Sequence, residues 1–306
     1  QHALTAVLLD RPRRVLCARD IYGATIKLLF DVLGPYGLET HFVDTNGLAA
    51  VESALAEFKP GCLLMETISN PLLRVGDMPA IARLCRAAGC ALMVDNTFAT
   101  PLLVRPLELG ADIVVHSSTK YLGGHGDTLG GLITTTQEFH ETVRRLSRIA
   151  GPVMGPMEAF LTMRGIKTFP LRVERQCQNS LALAAWLRTH PMVARVHHPG
   201  DPAHPDAAII ARLLPEGLFG GMVSFEIKDA AKPEVFAFLD RLKLVVKATS
   251  LGDVHTMALY PWISSHRDVP LAQKAEMGVT ESLVRFSTGI EAVEDIIADI
   301  DQALRG

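Results

Sequence analysis

A-L-M-V-D-N-T (91–97) and I-V-V-H-S-S-T-K (113–120) share one design, a short apolar run that stops abruptly on polar side chains. Short apolar runs between turn signals read as strands buried on both faces, the kind that builds parallel sheets. Working outward, β-rich runs at 14–17, 40–43 and 62–65 precede this pair, and another at 132–134 follows it. Helical patterns lie between them. Residues 78–88 carry Pro79 near the start and Gly89 just past the end, with Ile81, Leu84, Cys85 and Ala88 at i, i+3, i+4 and i+7, which predicts one inward face. Residues 25–33 end in the same way at Gly34-Pro35. The alternation predicts an α/β fold, a mostly parallel central sheet covered by helices on both faces.

After the Pro/Gly-rich stretch 151–156 the pattern changes. Helices predicted at 180–190, 233–242 and 292–304 mix with strands at 223–227 and 283–286, and Val293, Ile296, Ile297 and Ile300 mark the buried side of the last helix. Two domains are expected, a large one over 1–170 and a smaller α+β one over 171–306.

The 306 residues, 48% of them hydrophobic, suffice for a large core, and a formal charge of −3 gives no reason to expect nucleic acid or an anionic membrane as partner. Apolar runs are too short to span a bilayer and no signal peptide is visible. The five cysteines, Cys17, Cys62, Cys85, Cys90 and Cys177, form no C-x-x-C pair, so reduced, buried thiols and a cytoplasmic location are expected. The eleven histidines show no ligand spacing, and no metal is expected. Gly123-Gly124-His125-Gly126 lacks the lysine of a nucleotide-binding loop and reads as a turn.

Chemistry gathers where the predicted strands end. Asp20-Ile21-Tyr22-Gly23 follows the first, Glu66 and then Asn70-Pro71 the third, Asp95-Asn96-Thr97 the fourth, and His116-Ser117-Ser118-Thr119-Lys120 the fifth. Open parallel sheets bind ligands outside the carboxyl ends of their strands. A strand-end Asp is most often a cap, and Ser or Thr before a turn most often caps that turn; four polar clusters on one rim argue for a site. The residue types suit pyridoxal 5′-phosphate (PLP), which needs a lysine amine for its aldehyde, an acid for its ring nitrogen and donors for its phosphate. Lys120 supplies the first, Asp95 the second, Ser117 and Thr119 the third, while Tyr22 offers a ring for stacking and a hydroxyl for proton transfer.

The motifs I-Y-G-A-T (21–25), M-E-T-I-S-N-P (65–71), V-D-N-T-F-A-T-P (94–101), H-S-S-T-K-Y-L-G-G-H (116–125), S-L-G-D (250–253) and V-R-F-S-T-G-I-E (284–291) resemble those of the Cys/Met-metabolism PLP enzymes. That family includes cystathionine lyases, cystathionine γ-synthase, methionine γ-lyase and O-acylhomoserine sulfhydrylases. The resemblance implies the type I, aspartate-aminotransferase-like fold and a homotetramer built as a dimer of dimers. It implies Lys120 as the Schiff-base lysine, Asp95 as partner of the pyridine nitrogen, and Tyr22 as stacking ring and proton carrier. Ser117 and Thr119 become phosphate ligands and Asn70 the neighbour of the phenolic oxygen. Arg285 becomes the grip on the substrate carboxylate, Ser250 a residue near both lysine and carboxylate, and Gln1 a backbone N–H facing the phosphate.

Two departures are visible. The family has a Ser-Gly-Met-Ala helix start where this sequence opens on Gln1-His2-Ala3, so an upstream segment is expected to be missing. Cystathionine-specific members tend to read S-L-G-G-x-E-S, whereas this chain reads S-L-G-D-V-H-T, with Asp253 and His255 in that stretch. The reading therefore leans to γ-elimination of L-methionine or a close analogue, with γ-replacement on an O-acylhomoserine as the alternative. Ala24 stands where methionine γ-lyases often carry Cys. A nicotinamide-dependent oxidoreductase is disfavoured because the first strand lacks G-x-G-x-x-G.

Overall fold

The computed structural model describes residues 1–265, 267, 269 and 271–306. By packing, the chain forms two compact units. The first comprises Gln1–Ser69, Val75–Ser118 and Leu129–Ala159; the second comprises Asn70–Arg74, Thr119–Thr128 and Phe160–Gly306.

The first unit is built on a six-stranded sheet in the order β2-β1-β3-β4-β5-β6. Its strands are β1 (Arg14–Ala18), β2 (Glu39–Val43), β3 (Cys62–Glu66), β4 (Ala91–Asp95), β5 (Ile113–Ser117) and β6 (Gly131–Thr135). All pairings are parallel except β5 with β6. The mostly parallel α/β expectation is borne out. β3 and β4 are buried apart from their last residues, Glu66 and Asp95, as a strand covered on both faces should be. Val15, Cys17, Leu64, Met93 and Ile113 share one core with Leu4, Ile21 and Leu29.

Helix Met78–Ala87 starts with the Asp77 carboxylate accepting from the Ala80 amide at 3.2 Å and with Pro79 in its first turn. Ile81 and Cys85 are buried as expected; Leu84 is half-buried, and Ala88 is exposed because the helix has already ended. The helix expected over 25–33 is Gly23–Lys27 continued by a wider π-helical turn, Leu28–Leu33. Helices Leu48–Phe58 and Gln137–Ala150 were not foreseen. All five cysteines are free and buried.

The second unit carries a sheet in the order β7-β8-β11-β10-β9, with β7 (Val193–His197), β8 (Met222–Ile227), β9 (Val246–Lys247), β10 (Met257–Leu259) and β11 (Leu283–Ser287). Only β9 with β10 is parallel. Its core holds Phe225 against Phe286, ring centres 5.5 Å apart, with Phe238 at 6.1 Å and 6.2 Å from them. Helix Val293–Arg305 adds Ile296 and Ile300, fully buried, while Val293 and Ile297 are only partly so. Phe286→Ala should therefore cost about 3–5 kcal/mol, read as a lowered midpoint in denaturant unfolding. No helix among the described residues is long and apolar enough to cross a membrane.

The helix expected to lead through Arg164-Gly165 and Pro170 is two helices, Pro156–Ile166 and Phe169–Leu187, the second starting eleven residues before the predicted 180–190. Helix Phe169–Leu187 buries Arg172, Gln176, Asn179 and Ser180 along with apolar residues, and this polar content masks the apolar rhythm.

Candidate active site

In the first unit the polar clusters stand where the parallel strands end. Register pairs Glu66 at the end of β3 with Asp95 at the end of β4, and Asp95 with Val115 on β5, two residues before Ser117. The chain then leaves β5 directly into Thr119 and Lys120. The Asp95 carboxylate accepts from the Thr97 amide at 2.9 Å. Burial holds its carboxyl above the usual range, and the hydrogen bonds from Thr97 pull it partly back. The Ser117 amide donates to the Thr97 hydroxyl at 2.9 Å, so one residue fixes both strand ends.

Tyr22 precedes helix Gly23–Lys27; its amide donates to Glu66 at 2.9 Å and its ring is about half exposed. Gln1, exposed at the start of helix His2–Val7, lines the same cleft as Ile21, Asp95, Val115 and His116, with a volume of about 550 Å3. His116 meets the Asn96 amide at 3.3 Å, and burial pushes its pKa down to about 4, so the ring is neutral. Beneath, buried Asn96 also accepts from Thr67 at 2.7 Å and donates to the Val104 carbonyl at 2.9 Å.

In the second unit Lys120 breaks the helical run Ser118–Leu122, with φ −96° and ψ −135°. Its ammonium donates to the Ser250 hydroxyl at 2.9 Å. Arg285, on β11 between Val284 and Phe286, is buried; Nη2 donates to the Ser250 carbonyl at 3.2 Å and Nη1 to Asn70 Oδ1 at 3.0 Å. Ser250 thus touches both cations, through its hydroxyl and its carbonyl. The Lys120 amine is held below its ordinary pKa first by burial and then by the Arg285 charge. Thr119 is half-buried beside Lys120. The structure therefore brings Lys120, Ser250, Arg285 and Asn70 together in the second unit, and Asp95, Ser117 and Gln1 at one sheet edge in the first.

Asp253 does not extend freely. Its carboxylate accepts from both the amide and the ring of His255 at 3.1 Å and is buried, while the His255 ring is exposed. Sequence reasoning missed Arg172 and Gln176, whose side chains hold the loops carrying Lys120 and Ser250.

Each unit carries residues that fit PLP: the second a desolvated amine with lowered basicity beside a buried guanidinium, the first a carboxylate lining a cleft at the strand ends. The pattern of the family described as Cys/Met metabolism PLP-dependent enzyme matches residues 1–305. Cystathionine gamma-lyase of Bacillus subtilis is 42% identical over 305 residues, covering 99% of this chain and 79% of that protein. L-methionine gamma-lyase of Fusobacterium nucleatum subsp. nucleatum is 40% identical, covering 95% and 73%. Among solved structures, cystathionine gamma-lyase from Lactobacillus plantarum complexed with L-serine superposes with a TM-score of 0.93 at 35% identity, covering 99% of this chain and 79% of the other. The chain belongs to the Cys/Met-metabolism PLP-dependent enzymes and has their type I fold. It is a PLP-dependent lyase or synthase of sulfur amino acids.

Raised basicity at Asp95 has a consequence for stability. The cost of its buried charge is full above the raised folded pKa and fades as pH falls from there towards the ordinary carboxylate value. Cofactor-free Asp95→Asn should therefore melt at or above the wild-type temperature at pH 7, the gap closing in acid. Turnover of the loaded enzyme should fall roughly tenfold to a hundredfold, the worth of one charge-assisted hydrogen bond. Thermal melts across pH, beside kcat, check both.

Proposed function

We propose that this chain cleaves the carbon–sulfur bond of L-methionine or a close analogue by γ-elimination, releasing 2-oxobutanoate, ammonia and a thiol. The observation that carries the reading is Ser250 bridging the Lys120 amine and the Arg285 guanidinium. It sets a proton-accepting amine beside a carboxylate-binding cation, the pairing an α-amino acid substrate requires. Bound PLP supplies an electron sink for charge developing at the substrate Cα.

The residues of the chain do the rest. Lys120 would hold the cofactor aldehyde, and its Nζ, when free, would take the substrate's Cα proton; burial and Arg285 lower its basicity towards the range where this works near neutral pH. Asp95 would hold the ring nitrogen in its protonated form. Arg285 grips the substrate carboxylate through its planar fork. Oδ1 of Asn70 is occupied by Arg285, which leaves Nδ2 as the atom that would donate to the cofactor's phenolic oxygen. Ser117, Thr119 and the Gln1 backbone would hold phosphate and Tyr22 would stack; loss of a Cβ proton supplies the electron pair that expels the thiolate, Tyr22 gives that sulfur a proton from Oη, and one water is taken up as 2-oxobutanoate and ammonia form.

Support for methionine over cystathionine comes from His255, which stands where cystathionine-specific members tend to carry Glu and turns its amide and ring to Asp253 Oδ1, and from the methionine lyase among the relatives. The second reading is γ-replacement, in which a thiol or sulfide displaces the acyl group of an O-acylhomoserine; a cystathionine gamma synthase from Xanthomonas oryzae pv. oryzae, with a TM-score of 0.93 and 34% identity, favours it. Assay of 2-oxobutanoate from methionine, against homocysteine from O-acetylhomoserine plus sulfide, separates the two; no 2-oxobutanoate sinks the first. The proposal includes a homotetramer, supported by apolar side chains left exposed at Phe160, Met163 and Leu171, and a cytoplasmic setting, supported by five free thiols.

A further inference from the structure

Helix Phe169–Leu187 presents a stripe of buried polar residues at one-turn spacing, Arg172, Gln176, Asn179 and Ser180, each at most 4% exposed. Polar side chains at i, i+4, i+7 and i+8 share one helix face. Here that face donates to loop carbonyls. Arg172 donates from Nη1 to Tyr121 O at 2.9 Å, from Nη2 to Gly165 O at 2.8 Å and to Leu122 O at 3.5 Å, and from Nε to the Thr168 hydroxyl at 3.2 Å. One turn on, Gln176 Nε2 donates to the Asp253 carbonyl at 2.7 Å. Asn179 takes Gly289 and Glu291 at 2.9 Å each, and Ser180 takes Gly220 at 2.5 Å.

The first two residues hold the loops that carry the two partners of one hydrogen bond, Lys120 and Ser250. Tyr121 and Leu122 directly follow Lys120, and Asp253 closes the turn that begins with Ser250. The loops also join each other, Val254 N to Gly124 O at 3.1 Å. Space is taken up on both sides. A Cβ at Gly124, where φ is +73°, would lie 1.7 Å from Nη1 of Arg172, and one at Gly252, φ +74°, would lie 2.6 Å from the Tyr121 amide. Only residues without a side chain permit so close an approach.

A buried guanidinium whose four acceptors are uncharged is a costly way to fill space; an apolar residue of similar volume packs more cheaply. Its geometry offers something else. The break in the chain at Lys120 leaves carbonyls that no regular helix can satisfy, and a rigid fork catches them together. We infer that Arg172 and Gln176 are positioning residues that set the Lys120–Ser250 approach: one turn of helix acts as the ruler between the lysine loop and the serine loop. This rests on the assignment of Lys120 above.

The experiment uses holoenzyme. Borohydride reduction of the wild type must first label Lys120; a label elsewhere defeats the assignment and, with it, this inference, and is told apart from failure of the inference alone. With the label in place, Arg172→Lys, which keeps charge and bulk, and Gln176→Leu, which keeps volume, are compared with the wild type. The pH midpoint of the lysine-bound cofactor's absorption change should move by at least about half a unit. Kcat should fall roughly tenfold or more with KM changed less than about threefold, because the amine and not the substrate grip is displaced. Guanidinium ion added to Arg172→Ala should recover part of the lost kcat. Unchanged absorption midpoint and kcat in both Arg172→Lys and Gln176→Leu, with wild-type melting temperatures, would overturn the inference.

Discussion

Lys120→Met should abolish turnover, by roughly a thousandfold or more, and should leave no borohydride-stable adduct on the protein. Removing a group that takes and gives protons costs about a hundredfold to ten-thousandfold, and here the same atom also tethers the cofactor. The variant is not expected to lose its fold. In the native protein the ammonium of Lys120 sits partly desolvated, near the Arg285 cation, and its pKa is lowered. For a base of this kind the penalty is full below the lowered folded pKa and fades as pH rises towards the unfolded value. Cofactor-free Lys120→Met should thus be at least as stable as the wild type at neutral pH, with the two converging in alkali. Thermal melts from pH 6 to 11 measure this independently of catalysis. A stable variant with normal turnover would place the chemistry on another amine.

The second large effect is expected at Arg285. Its buried guanidinium already spans Asn70 Oδ1 and the Ser250 carbonyl, so it is held in one orientation before substrate arrives. Preorganisation of this sort favours binding because little side-chain freedom remains to be lost. Arg285→Leu should lower kcat/KM by roughly a hundredfold to a thousandfold, mostly through KM, the value of a bidentate charged pair with the substrate carboxylate. Arg285→Lys should recover only a small part, since a compact ammonium lacks the spaced planar fork that spans Asn70 and Ser250 and pairs two-pronged with a carboxylate. The leucine variant should also raise the basicity of the Lys120 amine by removing a nearby positive charge. The pH dependence of amine labelling in the cofactor-free variant reads that shift, and a KM unaltered by Arg285→Leu would show that another group binds the carboxylate.

Both expectations concern residues visible in the sequence, and it is instructive how they were visible. Strands of the first sheet announce themselves because they are buried on two faces, so 62–65 and 91–94 are continuous apolar runs whose polar ends stand out. The edge strand β7, which has no fully buried residue, and the two-residue β9, exposed throughout, lack that contrast. Arg285 was legible through its apolar neighbours and its resemblance to a known motif. Arg172 and Gln176 were not, because a buried polar residue on a helix looks in sequence like a solvent-facing one. Nor did the sequence indicate that 70–74 and 119–128 pack with the second unit.

Taken alone, the order of residues determined that this is an α/β enzyme with a lysine and an aspartate at neighbouring strand ends, since local periodicity and strand-end chemistry are properties of adjacent positions. Tertiary structure decided which distant groups meet: Ser250 under the Lys120 amine, Asn70 on Arg285, and Arg172 against carbonyls some fifty positions away. Contacts of that span depend on how loops are packed on a helix face, and no local pattern records them.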